Sequence, residues 1–514
     1  MKTKKYDVVV IGGGHNGLVA ATYLAKAGRT VALLEANAEL GGATASVRAF
    51  PDFDAHLSRY SYLVSLLPDQ IIQDLGLRFK TISRRVASYT PYQEGGVSKG
   101  LHISRIWDDK TLASFDALPD GTREAAAWKK FYQDTGEFSR RIASSLLLPL
   151  PSRSALKNTI DLPRVWDDII ENPIGEVITQ TFKTDLVRGI VLTDALIGTH
   201  ASADVMQANK CFLYHIIGNG TGEWRVPEGG MGKLVEELER VAKAADVTIF
   251  LNSRATKVDS YGKEVSVTLE NGDTFVGNYL LSDAAPQVLA TLRGTATFPS
   301  LEGSQLKVNM LVTWLPALKS GADPRDAFAG TFHVNETFSQ LEAAYRQSLQ
   351  GKIPSPLPLE LYCHSLTDQS ILSADLQRKG YHSLTVFGLH TPARLFDNHH
   401  DDQRKAALSS ALASLNTYLS EPIESVVARS ADGEPALEVK TPLDIEAAIG
   451  MPRGNIFHRD LDFPFREDGE QPGWGGETND PRIFICGAGA RRGGGVSGIP
   501  GHNAAMAVLE SRAS

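Results

Sequence analysis

The chain has 514 residues, 42% of them hydrophobic and 22% charged, with a formal net charge of −8. At roughly 150 residues per domain this is about three units or two larger ones, long enough to bury a core without disulfide or metal staples. The acidic balance argues against a bulk nucleic-acid footprint, and the scattered Cys211, Cys363 and Cys486 make no disulfide framework, zinc site or dithiol redox pair.

Lys2 to Lys5 lead straight into Val8-Val9-Val10-Ile11, too short for a signal segment, and no run of about 18 apolar residues follows anywhere. The expected location is cytoplasmic, with membrane contact only at the protein's surface. Residues 7–11 read as a parallel strand buried on both faces. Residues 16–27 carry Leu18, Val19, Thr22, Tyr23 and Ala27 at helical spacing, with Gly28 at the C-terminal cap position. Residues 30–34 form a second strand ending at Glu35. Residues 120–215 read as mostly helical. Residues 247–282 alternate as strands with turns at Tyr261-Gly262 and Asn271-Gly272, the latter a strong hairpin signal. Residues 305–440 mix strands, such as Val308 to Thr313 and Ser383 to Gly388, with a helix near 403–419. The end repeats the opening grammar: strand 483–486, glycine-rich turn, helix 501–512. The two ends are expected to meet in one sheet, with the middle inserted as a second domain.

Gly12-Gly13-Gly14-His15-Asn16-Gly17 satisfies G-x-G-x-x-G. It follows a strand, opens a helix and precedes an acid, Glu35, at the end of the second strand, which is the context of a dinucleotide-binding unit. Gly12 permits the tight turn, Gly14 admits a pyrophosphate, and Gly17 lets helix pack on strand. The helix start offers N–H groups to phosphates. Glu35, followed by Ala36, would accept hydrogen bonds from the adenosine ribose and disfavours a 2′-phosphate. NAD and FAD share this fingerprint. Gly41-Gly42-Ala43-Thr44 allows the backbone to lie along an extended FAD. Near the C-terminus, Gly487-Ala488-Gly489-Ala490-Arg491-Arg492 imitates a second fingerprint but fails it at Arg492, and too little chain follows for another β-α-β unit. It suits the other end of a long cofactor, with Gly487 and Ala488 near the ribityl chain and Gly494, Gly495 and Val496 against the flavin ring. The cofactor expected is FAD.

With these motifs, and with Tyr62 to Leu67, Gly229-Gly230-Met231-Gly232, Gly454 to His458 and Gly493 to Gly498, nearly the whole chain resembles the phytoene desaturase-related flavoproteins of the amine-oxidase-like FAD superfamily. It is closest to the branch named pyridine nucleotide-disulphide oxidoreductase domain-containing protein 2. The resemblance implies noncovalent FAD in a Rossmann-like domain built from three chain segments, with the backbone at Ala255 meeting the adenine and Ser282-Asp283-Ala284 beside the cofactor. The fold class expected is α/β, with an inserted mixed α+β substrate domain. The FAD domain would span 1–75, 225–300 and 450–514. The substrate domain would span 76–224, read as helical, and 301–449, containing sheet.

The resemblance further implies hydride transfer between a C–H bond of a lipophilic unsaturated substrate and flavin N5, with dioxygen or a quinone as electron acceptor. A flavin amine oxidase, with two rings such as Trp224 and Trp474 flanking the flavin, and a flavin-loaded scaffold of little turnover are the alternatives. No catalytic base is assigned. His200, His215 and Asp194 read first as core residues, Asp397 to Asp402 as a solvated loop rather than a metal site, Arg491-Arg492 as rim charges, and Ser144 to Pro151 as a buried helix end rather than a membrane-touching lip.

Overall fold

The computed structural model describes residues 2–296 and 301–511. Met1, 297–300 and 512–514 lie outside the described residues; they include outer ends of the three predicted FAD segments and the last residue of the predicted final helix.

Among the described residues, two seven-stranded sheets organise the chain. In the first, Thr3–Ile11 pairs in parallel with Val31–Leu34 on one side and Thr274–Ser282 on the other, a register that sets Val10 beside Leu33 and Leu281. Ile483–Ile485 joins Thr274–Ser282 in parallel, and Thr248–Phe250 extends the far side. The hairpin strands Ala255–Tyr261 and Glu264–Leu269 complete it. Segments from the beginning, middle and end of the chain thus share one sheet. Val8 to Val10 are buried from both faces, which explains an unbroken apolar run where a half-exposed strand would alternate. Helix His15–Lys26 packs against Ile499–Glu510 and Gly232–Ala244.

The second sheet runs in the order Leu437–Lys440, Leu306–Val312, His382–Gly388, Leu359–Tyr362, Thr331–Val334, Val86–Glu94, Val97–Ser104. All its pairings are antiparallel except that between Thr331–Val334 and Val86–Glu94. The reading of 76–224 as helical therefore fails near its start. Val86–Glu94 contains Pro91, which masks the strand pattern, and Gly95-Gly96, both at positive φ, close a two-residue hairpin turn there. Helices follow from Gly121–Ala143 to Met206–Ile217 and share one core around Phe131, Phe138, Trp166 and Phe212. No helix among the described residues is long and apolar enough to cross a membrane.

Three parallel strands of the first sheet end together, at Ile11, Leu34 and Ser282. Crevices beyond such carboxyl ends are where open α/β sheets take ligands.

Candidate functional site

Each of those strand ends delivers one functional group. After Ile11 the chain turns at Gly12, where φ is +99° and a Cβ would lie 3.0 Å from that of Asp283. A Cβ on Gly14 would lie 2.4 Å from Asp283 Oδ2, so the space a side chain would fill is held by the Asp283 carboxylate. After Leu34 comes Glu35, itself buried. Its Oε2 accepts from the Gly13 N–H and its Oε1 from the Asn37 N–H, both at 2.8 Å. A carboxylate has about four lone-pair sites, so Glu35 locks the turn and keeps acceptor capacity for a ligand. Gly14 caps helix His15–Lys26 without a side-chain hydrogen bond, leaving the His15 and Asn16 N–H groups for an anion. After Ser282 comes Asp283. Burial, with Glu35 nearby, raises its pKa from 3.8 to about 7, against the peptide N–H groups of Gly17 and Gly14.

These groups open onto a cavity of about 450 Å³, within the range of small-molecule sites. Glu35, Ala36, Ser253, Arg254 and Ala255 line one end; Gly12, Gly14, His15, Asn16, Gly41, Gly42, Ala43 and Thr44 line the middle; Ala488, Gly494, Gly495 and Val496 lie further along. The sequence places fifteen of its seventeen cofactor candidates on this wall. Gly17 and Gly487 do not line it; for Gly487 this corrects the ligand-facing reading, while Gly17 keeps the helix-packing role that the fingerprint gives it. A Cβ on Gly17 would strike the Gly12 carbonyl at 2.2 Å, and one on Gly487 the Asp283 carbonyl at 2.3 Å. Both glycines serve backbone-to-backbone packing behind the wall.

The cavity fits an extended flavin dinucleotide. It joins a polar, acid-bearing end to a glycine-lined helix start and then to a third glycine run. Three cavity-lining side chains carry buried polar atoms without a partner: His15 Nε2, Asn16 Oδ1 and His458 Nδ1. Buried polar atoms are nearly always satisfied, so these await a ligand. Burial lowers the His15 and His458 pKa values to about 4 and keeps both rings neutral, while His15 Nδ1 lies 3.1 Å from the Thr44 hydroxyl.

Beyond the glycines the wall becomes aromatic. Tyr62 lies 4.5 Å from Phe387 between ring centroids and 6.4 Å from Trp224, nearly parallel to the latter at 11°. His215 stacks on Trp224 at 4.3 Å and sets Nε2 3.4 Å from Asp194. Burial lowers the His215 pKa to about 3 and raises that of Asp194, so this is a neutral pair. Lys307 is 1% exposed, and its Nζ donates to the carbonyls of Ser58 and Arg59 at 3.0 and 3.1 Å. Burial brings its pKa down to about 7. The Cys211 thiol donates to the Ile197 carbonyl at 3.1 Å, and burial pushes its pKa up to about 12, far from a nucleophilic thiolate.

Two further readings are corrected. Arg492 is no rim charge: it is 1% exposed, and its guanidinium donates to the carbonyls of Ser145, Leu148 and Trp474 at 2.9, 2.6 and 2.8 Å. Arg491 pairs with Glu470 at 2.7 Å. Neither lines the cavity. Trp474 is absent from the cavity wall too; its indole donates to Glu510 at 2.8 Å. His200 bonds Ser348 outside the cavity. Of the Ser144 to Pro151 segment, Leu146 and Leu150 are buried while Leu148 is 56% exposed. Asp397 pairs with Arg453. Tyr62 enters the sequence reading only within the family-matching run Tyr62 to Leu67, and Lys307 and Phe387 lie in no motif; only the fold joins the three on the wall.

The family described as flavin containing amine oxidoreductase matches residues 17–306, more than half of the chain. An uncharacterized protein of Mycobacterium tuberculosis is 44% identical over 532 residues, covering 99% of this chain and 98% of that one. The pyridine nucleotide-disulfide oxidoreductase domain-containing protein 2 of Mus musculus is 29% identical over 570 residues, covering 98% of this chain and 93% of its own. A putrescine oxidase solved with putrescine bound superposes with a TM-score of 0.60 at 15% identity over 99% of each chain, a likeness of fold. The superfamily read from the glycine motifs is the one these matches return. The chain therefore belongs to the flavin containing amine oxidoreductase family and takes FAD as its cofactor.

Proposed function

We propose that the chain moves hydride between a C–H bond of a lipophilic, unsaturated molecule and flavin N5, as a desaturase, saturase or isomerase. The observation that carries this reading is the chamber beyond Gly494 to Val496. Its wall is built from Tyr62, Trp224, Phe387, Ile197 and Phe457, and its histidine is kept neutral by burial. A wall rich in rings and aliphatic side chains favours an apolar guest.

Bound FAD supplies the hydride acceptor, the part of the chemistry a cofactor carries. The chain supplies the rest. Glu35 would accept from the ribose hydroxyls, with Ala255 beside the adenine. The first turn of His15–Lys26 would take the diphosphate. His15, Asn16 and His458 would satisfy their open valences on the flavin side of the cavity. Lys307, titrating near neutrality, would place a proton donor or acceptor at the chamber wall. The acceptor of the electrons would be dioxygen or a quinone, and Leu148 at the exposed turn would let the protein rest against a membrane in a cytoplasmic setting.

One observation favours a second reading. The near-parallel rings of Tyr62 and Trp224 form a wall suited to a neutral amine or an ammonium group, which would make the chain an amine oxidase. Anaerobic mixing of the flavin-loaded protein with carotenoid, lipid, polyketide and amine candidates separates the two. Bleaching of the flavin by apolar unsaturated compounds supports the first reading. Bleaching by amines alone supports the second. No bleaching by either, in a flavin that dithionite reduces, favours a scaffold of little turnover.

A further inference from the structure

Behind the chamber wall lies a line of buried titratable groups that the chemistry above does not use. Tyr62 packs on Tyr362 with ring centroids 4.6 Å apart, and the two phenols interact. The Tyr362 hydroxyl donates to the Glu360 carboxylate. Glu360 Oε1 lies 4.0 Å from His333 Nδ1, which in turn lies 2.5 Å from Glu336 Oε2. Local structure fixes this line. Glu360 and Tyr362 are two apart on one strand and share a face, His333 stands opposite Glu360 on the next strand, and Glu336 follows three residues later. Glu336, Glu360, His333 and Tyr362 are all buried.

A second branch reaches the same carboxylate. The Thr193 hydroxyl, which donates to the Ile190 carbonyl at 2.9 Å, lies near Glu360 and partly offsets the rise of its pKa, and the neighbouring Asp194 faces His215 on the chamber wall. The fixed cation facing the group is Arg84, whose guanidinium sits 5.8 Å from the Tyr362 ring centre and donates to the Trp224 carbonyl and the Thr331 hydroxyl, both at 3.3 Å. His364 lies at 6.3 Å from Tyr362 between ring centroids, and burial keeps it neutral.

Two buried carboxylates, Glu336 and Glu360, and the half-buried Asp194 therefore sit together with one guanidinium, which faces Glu360. Unpaired buried charge is costly, so most of these groups must hold protons. Burial and mutual repulsion raise Glu336 and Glu360 together. Glu336 Oε1 has no partner. His333, Glu336 and Glu360 also have metal-ligand spacing, but burial keeps His333 neutral and favours protonated Glu336, so their 2.5 Å contact is a carboxyl–imidazole hydrogen bond, and Arg84 opposes a second cation.

We propose that Glu360 stores the proton that substrate oxidation releases, reached from the chamber through Tyr62 and Tyr362, with the Glu336–His333 pair as reserve behind it. This rests on the hydride-transfer reading. When a saturated C–C bond is oxidised, one C–H bond yields hydride with its electron pair to FAD. The proton of the neighbouring C–H passes to the Tyr62 oxygen as the Tyr62 proton moves to Tyr362 and the Tyr362 proton moves to Glu360. The electron pair left on carbon becomes the new C=C bond. The products are the alkene, reduced flavin and a protonated Glu360. Run backwards, the same line delivers a proton for saturation. Glu360 acts through the phenols and is a positioning and storage residue.

The test uses the FAD-loaded protein, reduced anaerobically by light with EDTA as electron donor and followed by infrared difference spectroscopy in water and heavy water. Light and EDTA supply two electrons; flavin N5 takes one proton from bulk water, and Glu360, facing the same negative charge that hydride transfer leaves on the flavin, takes another from water through the chamber. A protonated-carboxyl C=O band is expected to grow in step with flavin bleaching, shift in heavy water, and vanish in Glu360→Gln while persisting in the exposed control Glu39→Gln. Tyr62→Phe and Tyr362→Phe keep the packing and should make the band lag behind bleaching; they carry the test if Glu360→Gln does not fold. A wild-type flavin that bleaches with no carboxyl band, a band that survives Glu360→Gln, or one that keeps pace in both phenylalanine variants overturns the proposal alone. A protein that takes up no FAD overturns the hydride-transfer reading and this one with it.

Discussion

Replacing Asp283 with asparagine tests the electrostatics of the cradle. Its carboxyl is buried, and its pKa stands at about 7 instead of 3.8. The folded protein thus holds this proton more tightly than the unfolded chain does. The stability it lends is complete below about pH 4 and drains away as pH rises towards 7. At about 1.4 kcal/mol per pKa unit the whole loss is about 4 kcal/mol, of which about 2 kcal/mol falls between pH 5.5 and pH 8.5. Asparagine keeps the shape and one acceptor oxygen beside Gly14 and Gly17, costing about 1 kcal/mol at every pH, but it cannot ionise. Urea unfolding of the flavin-loaded protein, followed by far-ultraviolet circular dichroism and flavin release, reads both. The wild type should lose about 2 kcal/mol more than Asp283→Asn on going from pH 5.5 to pH 8.5. Parallel behaviour of the two proteins would refute the assignment of a buried, proton-holding Asp283.

Glu35→Ala removes the acceptor of two backbone N–H groups as well as the ribose contact, so FAD titration should show affinity weakened by about 1.5–3 kcal/mol, with Glu35→Gln in between. Gly495→Val, at φ +63° with Leu66 Cδ1 3.0 Å from the new Cβ, should lose flavin occupancy. Gly28→Ala, at φ +83° with nothing within 4 Å, should cost about 1–2 kcal/mol of stability and leave occupancy intact in the same absorbance assay. Arg492→Met strands the buried Trp474 carbonyl, at about 1–3 kcal/mol, and frees the part-buried carbonyls of Ser145 and Leu148; limited proteolysis should then cut within 144–151 far faster than in wild type, with Arg492→Lys partly protected.

The nucleotide cradle was legible because it is local. A buried strand, three glycines, a helix and an acid at the next strand end lie within thirty-odd residues, and each imposes its own backbone demand. The strands after 247 and the final strand–helix pair were legible for the same reason. The aromatic chamber was legible only at Trp224, named as a ring that could flank the flavin; Tyr62, Lys307 and Phe387 come from other, distant segments, and nothing local sets them at a site. Asp283 carried no local signal and entered only through family likeness. Arg492 was misread because arginine is usually solvated, whereas its three carbonyl partners are set by chain folding, two of them more than three hundred residues away. Gly487 was assigned to the ligand because a glycine needed for a ligand and one needed for a neighbouring backbone look alike in sequence, whereas Gly17 packs helix on strand as its place in the fingerprint implies.

The central claim is that one cavity runs from Glu35 past the Gly12–Gly14 turn to Gly495 and holds a whole FAD. The most direct measurement is chromatographic identification of what acid releases from the purified chain, beside the same assay on Gly14→Val, whose side chain would displace Asp283. The account predicts one FAD per wild-type chain, not FMN or NAD, and little or none from the variant. A wild-type protein that yields no flavin after incubation with FAD, or a variant as fully loaded as wild type, would contradict it.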